Sequence, residues 1–181
     1  MTIKVIRQLR FLLIIFLGLL SGCWFTLHDA PGNGSKPAEL LRSGVHGTRT
    51  LQPPAVTWIT DRTALKQVYT ALNRHSIGNN VELPDINFDL YGVLLIEMGQ
   101  KSTGGYAIKF DPSHARVLEN QTIIHVSWNT PPDGAMLTQA ITSPFILLKI
   151  QRTGIASIAV LDQREQLLFE ISINLGHLQK S

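Results

Sequence analysis

Gly92-Val93-Leu94-Leu95-Ile96-Glu97-Met98-Gly99-Gln100-Lys101-Ser102-Thr103-Gly104-Gly105-Tyr106-Ala107-Ile108-Lys109-Phe110 reads as two strands and the connection between them. The run Gly92–Ile96 is apolar throughout and of strand length, which suits a central strand buried on both faces. Tyr106, Ile108 and Phe110 then alternate with Ala107 and Lys109, the period of a strand with one buried face. Gly99–Tyr106 between them reads as a tight hairpin, with the adjacent Gly104 and Gly105 supplying positive φ angles. Lys101 and Ser102 do not make it a phosphate loop. That motif needs Gly-Lys-Ser/Thr opening a helix, whereas here Gln100 precedes the lysine and a strand follows.

The same alternation recurs down the chain. Val56–Ile59 is a short strand candidate, and Ile124, Val126 and Trp128 alternate with His125 and Ser127. Ile146, Leu148 and Ile150 share a face, as do Ile158 and Val160, and Leu167, Phe169, Ile171 and Ile173 close the pattern. One segment has a helical period instead. Asp61 is placed as a cap before Leu65, Val68, Tyr69 and Leu72, and Asn73, His75 and Gly78-Asn79-Asn80 end the run. Six or seven strands with one N-terminal amphipathic helix predict a mainly β domain, an antiparallel β-sandwich or partly open barrel.

The N-terminus has a different texture. Lys4, Arg7 and Arg10 precede the apolar run Phe11–Leu20, and Leu20-Ser21-Gly22-Cys23 follows it. That is the layout of a secretory signal peptide, and the run is well short of the roughly 20 apolar residues that a spanning helix needs. It resembles the lipobox of bacterial lipoproteins, which implies that Cys23, the single cysteine, carries lipid and is the first mature residue. The expected organisation is a signal peptide over 1–22, a flexible tether over 23–54 and a β domain over 55–181. Ala30-Pro31-Gly32-Asn33-Gly34-Ser35-Lys36-Pro37 is the turn-rich part of the tether. About 30 residues of such coil span roughly 30 Å. Acylation implies anchoring to a membrane in the cell envelope without spanning it. Trp24 in place of Asp after the cysteine implies the outer membrane, by the sorting rule of enterobacterial lipoproteins.

The whole chain has 16 basic and 13 acidic residues, and without the three signal cations the charges balance. No Lys/Arg stripe appears, which excludes nucleic acid as a partner. With Cys23 acylated no thiol remains for a disulfide or a thiolate metal site, and no pattern for a metal or a cofactor is present. No Gly-x-Ser-x-Gly elbow occurs. His114 and His125 lack ligand spacing, so His125 reads as a polar-face strand residue, and Asp85, Asp89 and Glu97 form no recognisable acid/base pair. The expectation is a protein that is not an enzyme.

Two connections carry the functional reading. Ser102-Thr103-Gly104-Gly105-Tyr106 is one. The other runs from Pro131-Pro132-Asp133-Gly134 to Thr142-Ser143-Pro144-Phe145, where Pro144 belongs at a strand start. Rigid turns bearing aromatic rings and hydroxyls suit protein recognition, since little entropy is lost on docking. With Pro84–Phe88, Gly99, Lys101 and Gln139, these residues resemble the PrcB C-terminal domain family over about residues 56–161. PrcB is a lipoprotein subunit of a bacterial surface protease complex. The resemblance implies a β domain that binds another extracytoplasmic protein and assembles with, stabilises or restrains a protease. Ser102, Thr103, Gly104, Gly105, Tyr106, Thr142, Ser143, Pro144 and Phe145 are the candidate contact residues. A fainter similarity is to chagasin-like peptidase inhibitors, which display three adjacent loops; Ser102–Tyr106, Pro131–Met136 and Thr142–Phe145 are the matching triplet here. A third alternative is a structural envelope lipoprotein without a specific client.

Overall fold

Val93, Leu94, Leu95 and Ile96 are all buried because the strand they belong to is covered on both faces. The structure is a computed structural model that describes residues 36–48, 53–74 and 82–173. The signal segment 1–22, Cys23, the tether up to residue 35 and the predicted helix stop from His75 to Asn80 lie outside the described residues. In chain order the elements are β1 (Ala38–Gly44), β2 (Ala55–Ile59), α1 (Arg62–Asn73), β3 (Tyr91–Glu97), β4 (Ala107–Phe110), β5 (Arg116–Leu118), β6 (Gln121–Asn129), β7 (Phe145–Gln151), β8 (Ser157–Leu161) and β9 (Leu167–Ser172).

Two sheets pack face to face in a sandwich that does not close into a barrel. The first has the order β1-β7-β3-β2, with every pair antiparallel. The second has the order β4-β6-β8-β9, with β5 also on β6. Leu94, Ile96, Ile146, Leu148 and Ile150 of the first sheet meet Ile108, Ile124, Val126, Ile158 and Val160 of the second. Each such side chain contributes about 1.5–3 kcal/mol when fully buried. Odd-numbered neighbours face the other way: Val93, Leu95, Phe145 and Leu147 form a second cluster with Leu65, Tyr69 and Leu72 of α1. Burial pushes the Tyr69 phenol pKa up, against the opposing pull of the Arg42 guanidinium over its ring.

α1 starts where the sequence places it. The Asp61 carboxylate accepts the Ala64 N–H at 2.8 Å and satisfies one of the helix's open donors. Asp61→Ala is expected to cost about 1 kcal/mol, read from the denaturant midpoint at unchanged slope. The helix follows β1 and β2 and lies on the outer face of the first sheet, so it is not the domain's first element.

Four expectations are corrected. Residues 38–44, read as part of the tether, form β1, paired with β7 along its length. A bulge between Leu40 and Arg42 breaks the period-two pattern there: Ala38 reaches the inter-sheet core, Leu41 packs on the helix side and Leu40 is left exposed. The domain therefore begins well before residue 55.

Gly99–Tyr106 is not a hairpin, because β3 already has β2 and β7 on its two edges and the chain must leave for the other sheet. Gly99 and Gly105 take positive φ there, while Gly104 does not. The β6–β8 pair is parallel, since the chain crosses to the first sheet as β7 between them. Leu167 is exposed, because a register shift at Val160/Leu161 takes it out of phase with Phe169 and Ile171.

Candidate functional site

At one end of the sandwich β3 ends, β4 begins, β6 ends and β7 begins, so the connections 98–106 and 130–144 meet there. They are bonded to each other directly. Lys101 N–H donates to the Thr142 carbonyl at 2.8 Å and Thr142 N–H returns the bond to Lys101 at 3.0 Å. The Thr142 hydroxyl donates to the Thr103 carbonyl at 3.0 Å, and Gly104 N–H donates to the Thr138 carbonyl at 3.0 Å. Gly105 has φ +86°, and a Cβ placed there would lie 2.9 Å from Leu137 Cδ2 and 3.1 Å from Pro131 Cβ. The positive φ favours glycine there, and any side chain would crowd Leu137 and Pro131 of the second loop.

The nine predicted contact residues divide by burial. Ser102 and Gly105 are exposed, Thr103 and Gly104 are half-buried, and all four lie on the first loop's surface. Tyr106 is half-buried: its ring packs against the inter-sheet core, with Lys101 Nζ 5.4 Å from the ring centroid. Thr142, Ser143, Pro144 and Phe145 are buried, which corrects their reading as surface contacts. Ser143 N–H donates to the Val45 carbonyl at 2.6 Å, Gly47 N–H to the Ser143 carbonyl at 2.7 Å and Met98 N–H to the Pro144 carbonyl at 2.9 Å. Phe145 sits in the helix-side core. The Thr-Ser-Pro-Phe segment thus fixes the loops from below. A dense network of backbone bonds explains its residue types as well as a contact role would.

The exposed surface of the second loop comes from residues between the quoted motifs. Met136 is fully exposed and Ile141 is 64% exposed, whereas Leu137 is half-buried against Gly105. Neither exposed residue fits a strand or helix period, and an apolar side chain out of phase in a loop otherwise built of Pro, Gly, Asp and Thr was the available signal. Glu97, just before the first loop, is 1% exposed; its carboxylate accepts the Thr48 N–H at 2.6 Å and the Thr48 hydroxyl at 3.0 Å. That joins residues 46–48 to the same end of the molecule.

A second polar cluster lies on the outer face of the second sheet. Asp111, His114, His125, Ser127, Asp162 and Gln163 line a cavity of about 210 Å³. Asp111, Ser113 and His114 have the residue types of a hydrolytic triad but not its geometry. Ser113 Oγ lies 3.1 Å and Asp111 Oδ2 2.7 Å from the same ring nitrogen, Nδ1, so carboxylate and hydroxyl do not sit on opposite sides of the imidazole. Ser113 Oγ instead donates to Asp111 Oδ1 at 2.5 Å, closing a local turn.

The Ser113 hydroxyl, then His114 and the Ser113 N–H, hold the Asp111 pKa down at about 2, below the ordinary 3.8. With the folded value depressed, the turn's contribution is complete above 3.8 and is lost as pH falls through about 2. NMR titration of this carboxyl is expected to give a midpoint near 2 that moves up toward 3.8 in Ser113→Ala. An unshifted midpoint in the wild type would contradict the turn. His125, 8% exposed, lies beside His114 with 5.8 Å between ring centroids and the rings tilted by 52°, and Arg116 Nη1 lies 3.4 Å from its Nε2.

No curated protein and no solved structure matches the chain. Residues 93–151 match the family described as PrcB C-terminal. The match runs from within β3 to the end of β7 and so contains both interlocked loops. It is narrower than the resemblance read from the motifs, leaving out Pro84–Phe88 and the residues after β7. This match supports the resemblance to the PrcB C-terminal family over residues 93–151.

Proposed function

We infer that this protein is a lipid-anchored, non-enzymatic subunit of the bacterial cell envelope, tethered at Cys23, whose loops 99–106 and 130–141 bind an extracytoplasmic protease. The family match fits a protease-complex-associated subunit. One observation supports the location of the contact surface above all: two irregular connections from different sheets are hydrogen-bonded to each other and braced by a buried segment, yet leave apolar side chains outside. Stiff loops lose little entropy on docking. Anchoring and export rest on Lys4, Arg7, Arg10, the Phe11–Leu20 run and the Leu-Ser-Gly-Cys motif.

Peptidase restraint in the manner of chagasin-like inhibitors is a narrower version of the same reading. Two of the three loops in its triplet keep exposed residues, while Thr142–Phe145 is buried. The test is affinity capture from detergent-solubilised envelopes of the native organism, with proteins identified by mass spectrometry. The wild-type chain is expected to recover a peptidase that Thr103→Asp and Gly105→Val lose. Recovery of the same proteins by all three, or of no peptidase by any, contradicts the reading and favours a structural lipoprotein.

A further inference from the structure

Residues 135–138 alternate as an extended segment does. Ala135 and Leu137 are half-buried, while Met136 and Thr138 are exposed. The segment is held at both ends. Ala135 N–H closes a turn onto the Pro132 carbonyl at 3.2 Å, with Gly134 at φ +77°, and the Thr138 carbonyl accepts Gly104 N–H. Leu137 and Pro131 are wedged against Gly105 from below. Among the described residues no hydrogen bond engages the peptide groups of Met136 or Leu137.

The result is a single apolar side chain projecting fully into solvent from a stiff extended segment, with open N–H and C=O groups beside it. This combination fits a substrate cleft better than a flat partner surface. A cleft of that kind takes an extended chain by main-chain hydrogen bonds and one side chain by a pocket. An unbranched thioether fits an apolar pocket of imperfect shape, because it adapts by rotating three bonds. A pocket with a carboxylate at its base has nothing to pair with it.

We propose that Met136 is the anchor of the binding platform and enters the apolar specificity pocket of a peptidase substrate cleft. The proposal rests on the protein-binding reading above and narrows it to one residue and one kind of pocket. Burial of this side chain is worth about ten- to a hundredfold in affinity.

The probes are chymotrypsin, whose pocket is an apolar slot, and trypsin, whose pocket is acidic. Initial rates on small chromogenic substrates are measured with the full-length chain in detergent. The wild-type chain is expected to slow chymotrypsin and not trypsin. Met136→Ala weakens the inhibition constant about ten- to a hundredfold, and Met136→Lys transfers inhibition to trypsin. Circular dichroism checks that both variants are folded; an exposed side chain is removable without loss of the core. Unchanged chymotrypsin rates with the wild type, or equal inhibition by wild type and Met136→Ala, overturns the proposal. If Met136→Ala is silent while Gly105→Val still loses the envelope peptidase, the anchor falls and the platform reading stands. If neither variant alters that capture, both fall.

Discussion

A chain that begins at Ala55, the boundary suggested by hydrophobic periodicity, will not fold cooperatively, whereas one that begins at Lys36 will. Starting at residue 55 removes β1, which pairs with β7 from Ala38↔Ile150 to Gly44↔Phe145. It also removes Ala38 from the inter-sheet core, Leu41 from the helix-side core and the 2.8 Å bond from Arg42 to Asn73 at the end of α1. Gly47 and Thr48 go as well, and with them the Thr48 donors to the buried Glu97 carboxylate. Loss of a whole strand together with partners of a buried charge should cost about 4 kcal/mol or more, out of roughly 5–15 kcal/mol for a typical domain. The new edge would be β7, whose Phe145–Leu148 run is apolar, so the shortened chain is expected to aggregate. Thermal unfolding followed by circular dichroism, with size-exclusion chromatography, decides it. Matching melting curves for the two chains would show that β1 is dispensable.

Gly105→Val should have the second-largest effect, and it should act on both stability and binding. A β-branched residue at φ +86° costs about 1–2 kcal/mol, and the crowding against Leu137 and Pro131 about 1–3 kcal/mol more. The expected total is about 2–5 kcal/mol, relieved in part by displacement of residues 131–138 from the first loop. Gly104→Ala is the control. Its Cβ would have 3.6 Å to the nearest atom, and its φ is not positive, so it should be close to neutral. Equal midpoints of denaturation for the valine variant and the alanine control would show that the loops are not packed as described.

How much of this was legible in the sequence depended on whether local pattern or remote contact decided each residue. β3, β6, β7 and α1 could be read because burial on one or both faces imposes an unbroken apolar run or a regular period. β1 could not, because its bulge leaves Leu40 outside and moves Leu41 to the other face, so Glu39–Gly44 has no period to detect. The Gly99–Tyr106 connection was found but its partner was misread. Nothing local distinguishes a hairpin from a crossing between sheets, and the difference comes from the two strands already flanking β3.

The Thr142–Phe145 motif reads as a surface contact in the sequence, whereas the structure buries it. Hydroxyls and a proline beside a strand suit a contact loop equally well as a buried brace, and only the bonds to Val45, Gly47, Met98, Lys101 and Thr103 separate the two. Val45 and Gly47 lie far away in sequence, in a region read as a tether. Met136 illustrates the reverse: it is exposed beside Leu137, which turns inward against Gly105, and its apolar character in a polar loop was the one local signal of this.

Site-specific photo-cross-linking in intact cells decides whether the interlocked loops meet a peptidase. A photoreactive amino acid replaces Ser102 or Thr138 on the platform, or Glu119 in the β5–β6 turn at the opposite end of β6. Nine strand residues put these ends about 30 Å apart. A covalent adduct with one peptidase is expected from positions 102 and 138 and none from 119. An adduct that forms equally from 119, or no peptidase adduct from the two platform positions, would contradict it.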